Sequence, residues 1–320
     1  MPKILVTGGA GFIGSALIQA LVAQGDSVVS VDNFNNYYDP KLKRDRIEKF
    51  LSGVNFKMNE IDICDFAALD KIFSSKKFDA ICHLAAQAGV RYSLENPFAY
   101  EKANILGTLN LLELAKKHQV RNFIFASSSS VYGGNTKVPF SETDRVDNPV
   151  SLYAVTKKAD ELMAHTYHHL YGMNCTGLRF FTVYGSWGRP DMALFIFTKA
   201  IFEGRPIDVF NNGKMERDFT YIDDIIDGII RAIDRNSGYE IYNLGNNKPI
   251  ALEYFIQVIE KNIGAKTQKN LLPMQEGDVP KTWADIEKAK TKLGWEPKTG
   301  IEEGIEKFLQ WYKEYYKISN

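Results

Sequence analysis

The sequence has few of the features that mark extracellular, metal-binding or membrane proteins. Its 320 residues include only three cysteines, Cys64, Cys82 and Cys175, and no two of them form a C-x-x-C pair. This argues against a disulfide framework and a structural zinc site. No apolar run approaches the roughly 18 residues of a membrane span, and the first residues lack the layout of a signal peptide. We therefore expect a cytoplasmic protein with reduced thiols and no membrane partner.

Charge of one sign is also missing, since Lys+Arg and Asp+Glu both number 39 and the formal net charge is zero. That balance argues against a nucleic-acid-binding protein, which usually carries a basic excess. His165, His168 and His169 share one predicted helix, but no glutamate completes a metalloprotease motif there, so we expect no metal site. Hydrophobic and charged fractions of 45% and 24% are ordinary for a globular protein.

Short apolar runs alternate with amphipathic stretches through the first half of the chain. This alternation predicts βαβ units and a parallel sheet, and right-handed crossovers would make it a Rossmann-type, doubly wound α/β fold. The predicted strands are 4–7, 27–32, 55–60, 80–84, 122–126 and 174–181, and the predicted helices are 13–24, 66–74, 104–118 and 152–171.

The sequence pattern changes after residue 181, where turn-forming residues become frequent. We predict a Rossmann domain over residues 1–180, to which segments at about 215–245 return. Residues 181–320 are predicted to form mainly a smaller mixed α/β lobe that shapes a substrate pocket. The tail, 301–316, has the pattern of an amphipathic helix packed on the body.

A glycine loop follows the first predicted strand and opens the first helix. Gly8, Gly11 and Gly14 are spaced three apart, and glycines there let the backbone approach a pyrophosphate at the helix N-terminus. An ordinary glycine-rich turn would show the same pattern. Asp32, at the end of the second strand, adds weight because an acid there binds ribose hydroxyls and repels a 2′-phosphate, which favours NAD over NADP.

A second motif joins Tyr153 and Lys157 as Y-x-x-x-K. On a helix these positions share one face, so the lysine charge can lower the pKa of a phenol that acts as general acid/base. The bland alternative is an exposed helical pair. Ser128, within the cluster 127–130, lies 25 residues earlier after a predicted strand, where hydroxyls face the ligand crevice of α/β folds.

Together with Leu84-Ala85-Ala86 and Val131-Tyr132-Gly133, these motifs resemble the extended short-chain dehydrogenase/reductase family, in its nucleotide-sugar epimerase group. The likeness covers nearly the whole chain and includes 217–224 and 276–279 in the second lobe. Segments 32–39, 87–93 and 182–192 are most similar to UDP-glucuronate 4-epimerases.

The resemblance implies an NAD-dependent enzyme that epimerises a UDP-sugar at C4, with UDP-glucuronate and UDP-galacturonate as the expected pair. The implied route is transient oxidation at C4, rotation of the 4-keto sugar and return of the hydride, with Tyr153, Lys157 and Ser128 as catalytic residues. Tyr153 and Lys157 would also contact NAD, and the other expected NAD contacts are Gly8, Gly11, Phe12, Ile13, Gly14, Asp32, Asn33, Asp62, Ile63, Leu84, Ala85, Ala86, Asn104 and Phe180.

For the UDP-sugar, the resemblance assigns Arg217 to the diphosphate and Asp278 to the uridine ribose. Arg189, or else Arg91, would bind a hexuronate carboxylate, unless each simply pairs with a nearby aspartate. Gln275 stands where the family often has arginine. The full expected set is Arg91, Ser93, Ser127, Ser128, Ser129, Thr182, Arg189, Pro206, Ile207, Phe210, Arg217 and Asp278.

Several alternatives stay open. A UDP-glucose/UDP-galactose or N-acetylhexosamine 4-epimerase would share most motifs. Dehydratases and decarboxylases of this fold carry acids where Ser129 and Ser130 stand, so both are disfavoured. A non-catalytic NAD-binding regulator typically loses the tyrosine or the lysine, and this chain has both. The family also commonly pairs two helices per subunit, here about 104–117 and 153–171, which implies a homodimer.

Overall fold

The computed structural model describes residues 1–51 and 55–318. Its centre is a sheet of seven parallel strands in the order β10-β6-β5-β4-β1-β2-β3. This confirms the predicted doubly wound α/β fold. The seven strands are β1 (Lys3–Thr7), β2 (Ser27–Asp32), β3 (Phe56–Glu60), β4 (Ala80–His83), β5 (Asn122–Ser128), β6 (Asn174–Phe180) and β10 (Tyr239–Leu244).

Helices cover both faces of this sheet. The helices of the described residues are α1 (Phe12–Ala23), α2 (Pro40–Leu51), α3 (Phe66–Ser75), α4 (Tyr92–Glu95), α5 (Pro97–Tyr100), α6 (Gly107–Lys117), α7 (Leu152–Tyr171), α8 (Ala193–Phe202), α9 (Ile222–Asp234), α10 (Leu252–Ile263), α11 (Glu287–Leu293) and α12 (Ile301–Tyr316). Within the described residues, no helix is both long enough and apolar enough to cross a membrane.

Alternation along the strands explains the two covered faces. In β1, Ile4 and Val6 join a core with α1 and α9, whereas Leu5 joins a separate core with α3, α6 and α7. Successive side chains of a strand point to opposite faces. A strand buried on both faces therefore reads as a continuous apolar run, which is why the sequence located these strands.

The long helix α7 has a clear capping residue at each end. The Ser151 side chain accepts a hydrogen bond from the Ala154 backbone N–H at 3.2 Å, and Gly172 ends the helix in the left-handed conformation at φ +65°. These are the preferred N-terminal and C-terminal caps. The predicted helix 152–171 is therefore confirmed to the residue, as is the tail helix 301–316, which buries Ile305 and Phe308 in the core.

Other predicted boundaries were wrong. Strand β4 ends at His83 rather than Leu84, so Leu84-Ala85-Ala86 follows the strand. The predicted helix 104–118 instead begins as a π-helical segment, Glu101–Leu106, before α6. The sequence also missed α2, because two of its buried residues are the charged Lys43 and Arg46, which hide the apolar period.

The second half of the chain builds smaller sheets beside the first. Strands β7 (Thr182–Tyr184), β9 (Glu216–Tyr221) and β11 (Pro249–Ala251) form one sheet, and β8 (Ile207–Val209) pairs with β12 (Lys269–Leu271). Between these, α9 packs on α1, and β10 pairs with β6 at the edge of the main sheet. The smaller sheets therefore face the carboxyl ends of the main strands.

Candidate active site

A cleft of about 1420 Å³ opens where the strand order reverses, between β1 and β4. Ligands of open α/β sheets bind at such a switch point, outside the carboxyl ends of the strands. The cleft runs on beneath the smaller sheets, which supply part of its wall through Thr182 and Phe219. One continuous space thus connects the glycine loop with the second half of the chain.

The glycine loop forms one end of this cleft. Gly8 has φ +73°, and a Cβ placed there would lie 2.7 Å from the Ala85 backbone nitrogen. At Gly14 a Cβ would lie 2.1 Å from the Gly8 carbonyl oxygen. Both approaches are far inside van der Waals contact, so no side chain fits at either position. The loop therefore presents bare backbone at the N-terminus of α1, as a dinucleotide site requires.

Asp32 borders the loop at the end of β2. Its Oδ2 accepts the Ala10 N–H at 3.0 Å and its Oδ1 accepts the Phe34 N–H at 2.8 Å. These two backbone bonds fix a carboxylate that lines the cleft. Asp62 lies beyond it and ties Asn33 in place through the Asn33 Nδ2–Asp62 Oδ2 hydrogen bond of 3.1 Å.

Tyr153 and Lys157 lie one turn apart on α7, and both line the cleft. The Lys157 side chain is 2% exposed, and its ammonium donates to the Ala126 carbonyl at 2.9 Å and to Asp160 Oδ2 at 3.1 Å. The Tyr153 ring meets the Tyr100 ring edge-on, with centroids 6.0 Å apart. The lysine is therefore held one helical turn from the phenol, with its aliphatic chain buried between α7 and β5.

The serine cluster begins at the end of β5 and lines the cleft from 127 to 130. Ser128 Oγ donates to Ser130 Oγ at 3.0 Å and accepts the Ser130 N–H at 3.1 Å, which caps the short helical turn at 129–132. Ser127 instead donates to Glu161 Oε1 at 2.7 Å. Ser128 and Ser130 thus bond each other, whereas Ser127 is tied to the buried network described next.

Glu161 and Arg179 form a buried ion pair under the serines, with side chains 1% and 3% exposed. Arg179 Nε and Nη2 donate to the two Glu161 oxygens at 2.8 and 2.9 Å, and Nη1 donates to Tyr132 Oη at 2.9 Å. Burial alone would raise the pKa of Glu161, but the Arg179 contact holds it below its usual range. The pair locks α7 to β6 and to the turn that carries the serines.

Arg189 lines the opposite side of the cleft, and it already has a partner. Its Nε donates to Asp191 Oδ1 at 3.0 Å and its Nη2 to Asp191 Oδ2 at 2.5 Å. Tyr37 donates its hydroxyl to the same Oδ2 at 3.0 Å. Burial and the Asp191 charge raise the pKa of Tyr37 to about 12, so it stays a donor. Asp191 thus occupies the Nε/Nη2 edge of the guanidinium. The Nη1 group is left to bind other partners.

A second pair of arginines lies around Asp278. Arg91 Nη2 is 3.5 Å and Arg217 Nη2 3.9 Å from its carboxylate oxygens, and the Arg91 guanidinium lies 4.9 Å from the Phe210 ring centroid. Burial lowers the pKa of Arg217, with the Arg91 charge acting in the same direction against Asp278. Gln275, nearby in the chain, has a buried Oε1 without a hydrogen bond inside the described ranges. This arrangement groups Arg91 with the predicted nucleotide contacts.

Most of the predicted site residues meet in this one cleft, but four lie outside it. Asn104 is fully buried and braces Gln87, accepting its N–H at 2.8 Å. Ser93 turns its hydroxyl to the Val90 carbonyl, Pro206 is exposed, and Ile207 is buried. Those in the cleft are Gly8, Gly11, Phe12, Ile13, Gly14, Asp32, Asn33, Asp62, Ile63, Leu84, Ala85, Ala86, Arg91, Ser127, Ser128, Ser129, Tyr153, Lys157, Phe180, Thr182, Arg189, Phe210, Arg217 and Asp278.

The sequence analysis missed three polar residues that the fold brings to the site. Tyr37 and Asp191 lie inside the segments most similar to UDP-glucuronate 4-epimerases, but 154 positions separate them. Asp160 follows Lys157 by three residues, a helical spacing that could have drawn attention to it. Across residues 1–51 and 55–318, no cluster of three or more His, Cys, Asp or Glu is placed to hold a metal ion.

Comparison with known proteins agrees with this geometry. The model of the NAD dependent epimerase/dehydratase family matches residues 4–245. UDP-glucuronate 4-epimerase 4 of Arabidopsis thaliana is 49% identical over 98% of this chain and 76% of its own length.

Two solved structures extend the likeness to three dimensions. The UDP-glucuronic acid 4-epimerase of Bacillus cereus, solved with UDP-glucuronic acid and NAD, is 37% identical, with a TM-score of 0.92 over 98% of this chain and 100% of its own. The UDP-glucose 4-epimerase of Thermotoga maritima, solved with UDP-glucose, is 33% identical, with a TM-score of 0.91 over 98% and 99%.

The buried pair under the serines predicts a stability effect. Glu161→Gln alone should lower the free energy of unfolding by about 3–5 kcal/mol, because it leaves the buried Arg179 charge unpaired. Arg179→Met should cost less, since Lys158 lies 3.4 Å from Glu161 Oε2 and keeps a cation beside the carboxylate. The double variant Glu161→Leu/Arg179→Met should lose much less than the sum. Urea unfolding measures all three, and exposed Glu296→Gln, which breaks a surface pair with Lys290, should change stability by under about 0.5 kcal/mol. Additive losses would show that the two residues do not act as a pair.

Proposed function

The chain belongs to the NAD dependent epimerase/dehydratase family, and we propose that it interconverts UDP-glucuronate and UDP-galacturonate by inverting C4 of the sugar. One observation carries the proposal. A single cleft joins the glycine loop, the Tyr153/Lys157 pair and Ser128 to a cation, Arg189, on the facing wall. The first three supply oxidation chemistry at a hydroxyl, and the cation suits an acidic sugar.

The residues at the glycine loop fit NAD. Close backbone contacts leave no space for a side chain at Gly8 or Gly14, so the loop offers bare backbone to a pyrophosphate. Asp32, fixed by two backbone N–H groups, offers a carboxylate to ribose hydroxyls and would repel a 2′-phosphate. When bound, NAD supplies reversible oxidation of the carbinol carbon, which makes a stereocentre planar and allows it to be rebuilt with either hand.

Side chains of the protein accept and return the proton at the sugar O4. Tyr153 faces the cleft as the general acid/base, and its hydroxyl has no hydrogen-bond partner among the described residues, which leaves it available to substrate. The buried Lys157 charge stabilises the phenolate form of Tyr153, the base that takes the O4 proton and becomes a neutral phenol as C4 is oxidised. Ser128 supports the same oxygen with its hydroxyl, which the Ser130 N–H holds in place.

The same wall argues against loss of water or carbon dioxide. Ser129 and Ser130 stand where dehydratases and decarboxylases of this fold carry acids, and both line the cleft as hydroxyls. The nearest carboxylate behind them, Glu161, is committed to Arg179 and Ser127. No carboxyl group in this cluster can therefore carry the proton that elimination needs.

A neutral sugar is the second candidate, and a specific contact favours it. Asp191 pairs with one edge of Arg189, so the two side chains together carry little net charge. When a neutral hexose binds, Arg189 therefore keeps a partner and is not buried as an unpaired charge. A hexuronate must share the guanidinium through Nη1 and the outer N–H of Nη2. UDP-glucose/UDP-galactose 4-epimerisation is therefore the alternative, in line with the Thermotoga maritima likeness.

A product assay tests the proposal. Incubation with UDP-glucuronate and no added reductant should give UDP-galacturonate, resolved by anion exchange and NMR. Tyr153→Phe should lose about 10²–10⁴-fold in rate because the acid/base group is gone, while Tyr171→Phe, at the exposed end of the same helix, should keep it. UDP-pentose or a released 4-keto sugar would refute the epimerase, and turnover of UDP-glucose alone would move the assignment to the neutral sugar.

Arg189 predicts the substrate preference. Arg189→Gln should raise KM for UDP-glucuronate by about 10- to 100-fold, since a charge-assisted hydrogen bond contributes about 1.5–3 kcal/mol, with a much smaller effect on UDP-glucose. We also expect more UDP-pentose, because a loosely held carboxylate of the 4-keto acid decarboxylates easily. Steady-state kinetics on both sugars measures this, with surface Arg231→Gln as control. Equal losses on both sugars would rule out a carboxylate contact.

We infer that the protein acts as a homodimer in the cytoplasm. Apolar side chains on α5, α6 and α7 are exposed on one side of the chain, namely Phe98 at 80%, Leu109 at 38%, Val155 at 42%, Leu162 at 57% and Leu170 at 59%. A second copy would bury them, since monomers rarely expose contiguous apolar patches of this kind. The three cysteines are unpaired, which suits a reducing compartment.

The dimer is tested by one charge on that face. Wild-type protein should have twice the mass of one chain by light scattering, and Leu162→Glu should shift it to a monomer because a carboxylate cannot be buried there unpaired. Leu271→Glu, on the equally exposed strand β12, should leave the dimer intact. A monomeric wild type, or no effect of Leu162→Glu, would reject this face as the interface.

A further inference from the structure

Asp160 is a buried acid directly behind the proposed acid/base pair. Its side chain is 1% exposed, and its Oδ2 lies 3.1 Å from the Lys157 ammonium. It does not line the cleft, whereas Lys157 does. The family motif ends at the lysine, so the role of this carboxylate has to come from its own surroundings.

Along α7, Lys157 follows Tyr153 by four residues and precedes Asp160 by three. On the cleft side is Tyr153, one helical turn away, whose phenolate the ammonium stabilises. On the buried side is Asp160, which accepts one of its N–H groups, while the Ala126 carbonyl accepts another at 2.9 Å. In a low-dielectric interior a carboxylate this close cancels much of the ammonium's field at the phenol.

We propose that Asp160 is a positioning residue that holds Lys157 under Tyr153 and limits how far the lysine charge acidifies the phenol. This inference rests on the proposed function, because it assumes that Tyr153 is the acid/base group. The protonation state of Asp160 then sets how strongly the Lys157 charge acts on the phenol. The ionised carboxylate screens that charge, and the neutral carboxyl group does not.

The other charged groups around the pair do not change charge near neutral pH. His83, on β4, bonds Thr7 Oγ1 at 2.7 Å and Thr108 Oγ1 at 3.0 Å. Burial, with the Lys157 charge, lowers the pKa of His83 to about 3, so it stays neutral. Glu161, beside Asp160 in the chain, stays ionised because Arg179 holds its pKa below the usual range against the effect of burial.

On the cleft side the neighbours of Tyr153 are equally fixed. Burial raises the pKa of Tyr100, which therefore keeps its proton, and Arg189 stays cationic beside Asp191. Asp160 differs from all of these, since burial raises its pKa to about 6 despite the nearby Lys157. Among the described groups facing this pair, it is the one whose charge changes close to neutrality.

The sign of the effect follows. Above pH 6 the Asp160 carboxylate is ionised and screens Lys157, which weakens the field that the ammonium exerts on the Tyr153 phenol. Asp160→Asn keeps a hydrogen-bond acceptor for the ammonium but removes the charge. The phenol of that variant should therefore titrate at lower pH. Below pH 6 the wild type is protonated at Asp160, and the two proteins should converge.

The experiment titrates the phenol directly in the sugar-free protein. Ultraviolet difference spectra against the matching Tyr153→Phe background isolate the phenolate signal of Tyr153 from the other tyrosines. Asp160→Asn should lower its apparent pKa by about one pH unit, the size expected from unscreening a neighbouring charge. The low-pH limb of the rate profile should move by the same amount. Asp160→Glu restores the charge and should return both towards the wild type.

Controls separate this role from a general structural one. Glu306→Gln, exposed on α12, makes the same change in net charge and should shift nothing. If Asp160→Asn does not fold, Asp160→Ser serves instead: it also removes the charge next to Lys157 and should shift Tyr153 in the same direction.

Two results would overturn the inference: a Tyr153 titration unchanged in Asp160→Asn, or an equal shift in Glu306→Gln. Because the titration uses no sugar, its outcome is independent of the product assay. A shifted phenol in a protein that turns over no UDP-sugar would defeat the proposed function and leave this inference standing. An unshifted phenol in an active epimerase would do the reverse.

Discussion

The whole cleft depends on how closely the loop after β1 approaches the end of β4. A Cβ at position 8 would lie only 2.7 Å from the Ala85 backbone nitrogen, so only glycine allows the two segments to approach this closely. β1 and β4 pair in parallel there, and the helices that follow them, α1 and α6, pack on opposite faces of the sheet. The close approach also brings the N-terminus of α1 to the cleft, where Ala10 can donate to Asp32. The dinucleotide end of the site follows from this one steric condition.

Helix α7, which carries the proposed acid/base pair, is fixed in position by buried polar contacts to two strands. Glu161 pairs with Arg179 on β6, and Lys157 donates to the Ala126 carbonyl on β5. Buried charges are costly unless their partners are well placed, so the helix cannot rotate or slide without breaking these contacts. The Lys157–Asp160 pair lies within the helix and moves with it. The helix that these contacts hold also presents Tyr153 to the cleft.

The arginines that line the cleft among the described residues each face a carboxylate, and this shapes how an anionic ligand would bind. Arg189 is shared with Asp191 and Tyr37, and Arg91 and Arg217 face Asp278. A carboxylate or diphosphate therefore exchanges partners rather than meeting a bare cation. Such an exchange limits affinity, but it penalises the wrong ligand, because a displaced aspartate must find another donor.

The sequence by itself determined the parts of the molecule whose signals are local. The glycine spacing, Asp32, Y-x-x-x-K and the serine cluster are read within a few residues, and caps at Ser151 and Gly172 fixed α7 to the residue. Strands buried on both faces were found because their apolar runs are continuous. The family and its cofactor class rest on these features.

Tertiary structure alone decided the contacts between distant segments. Tyr37 reaches Asp191 across 154 positions, and Ser93, Pro206 and Ile207 lie outside the cleft that the resemblance assigned to them. Helix α2 was hidden because the fold buries Lys43 and Arg46 among backbone oxygens, which no apolar period reveals. Propensity and spacing act over one turn or one strand, whereas a side chain's partner across a cleft depends on how whole elements pack.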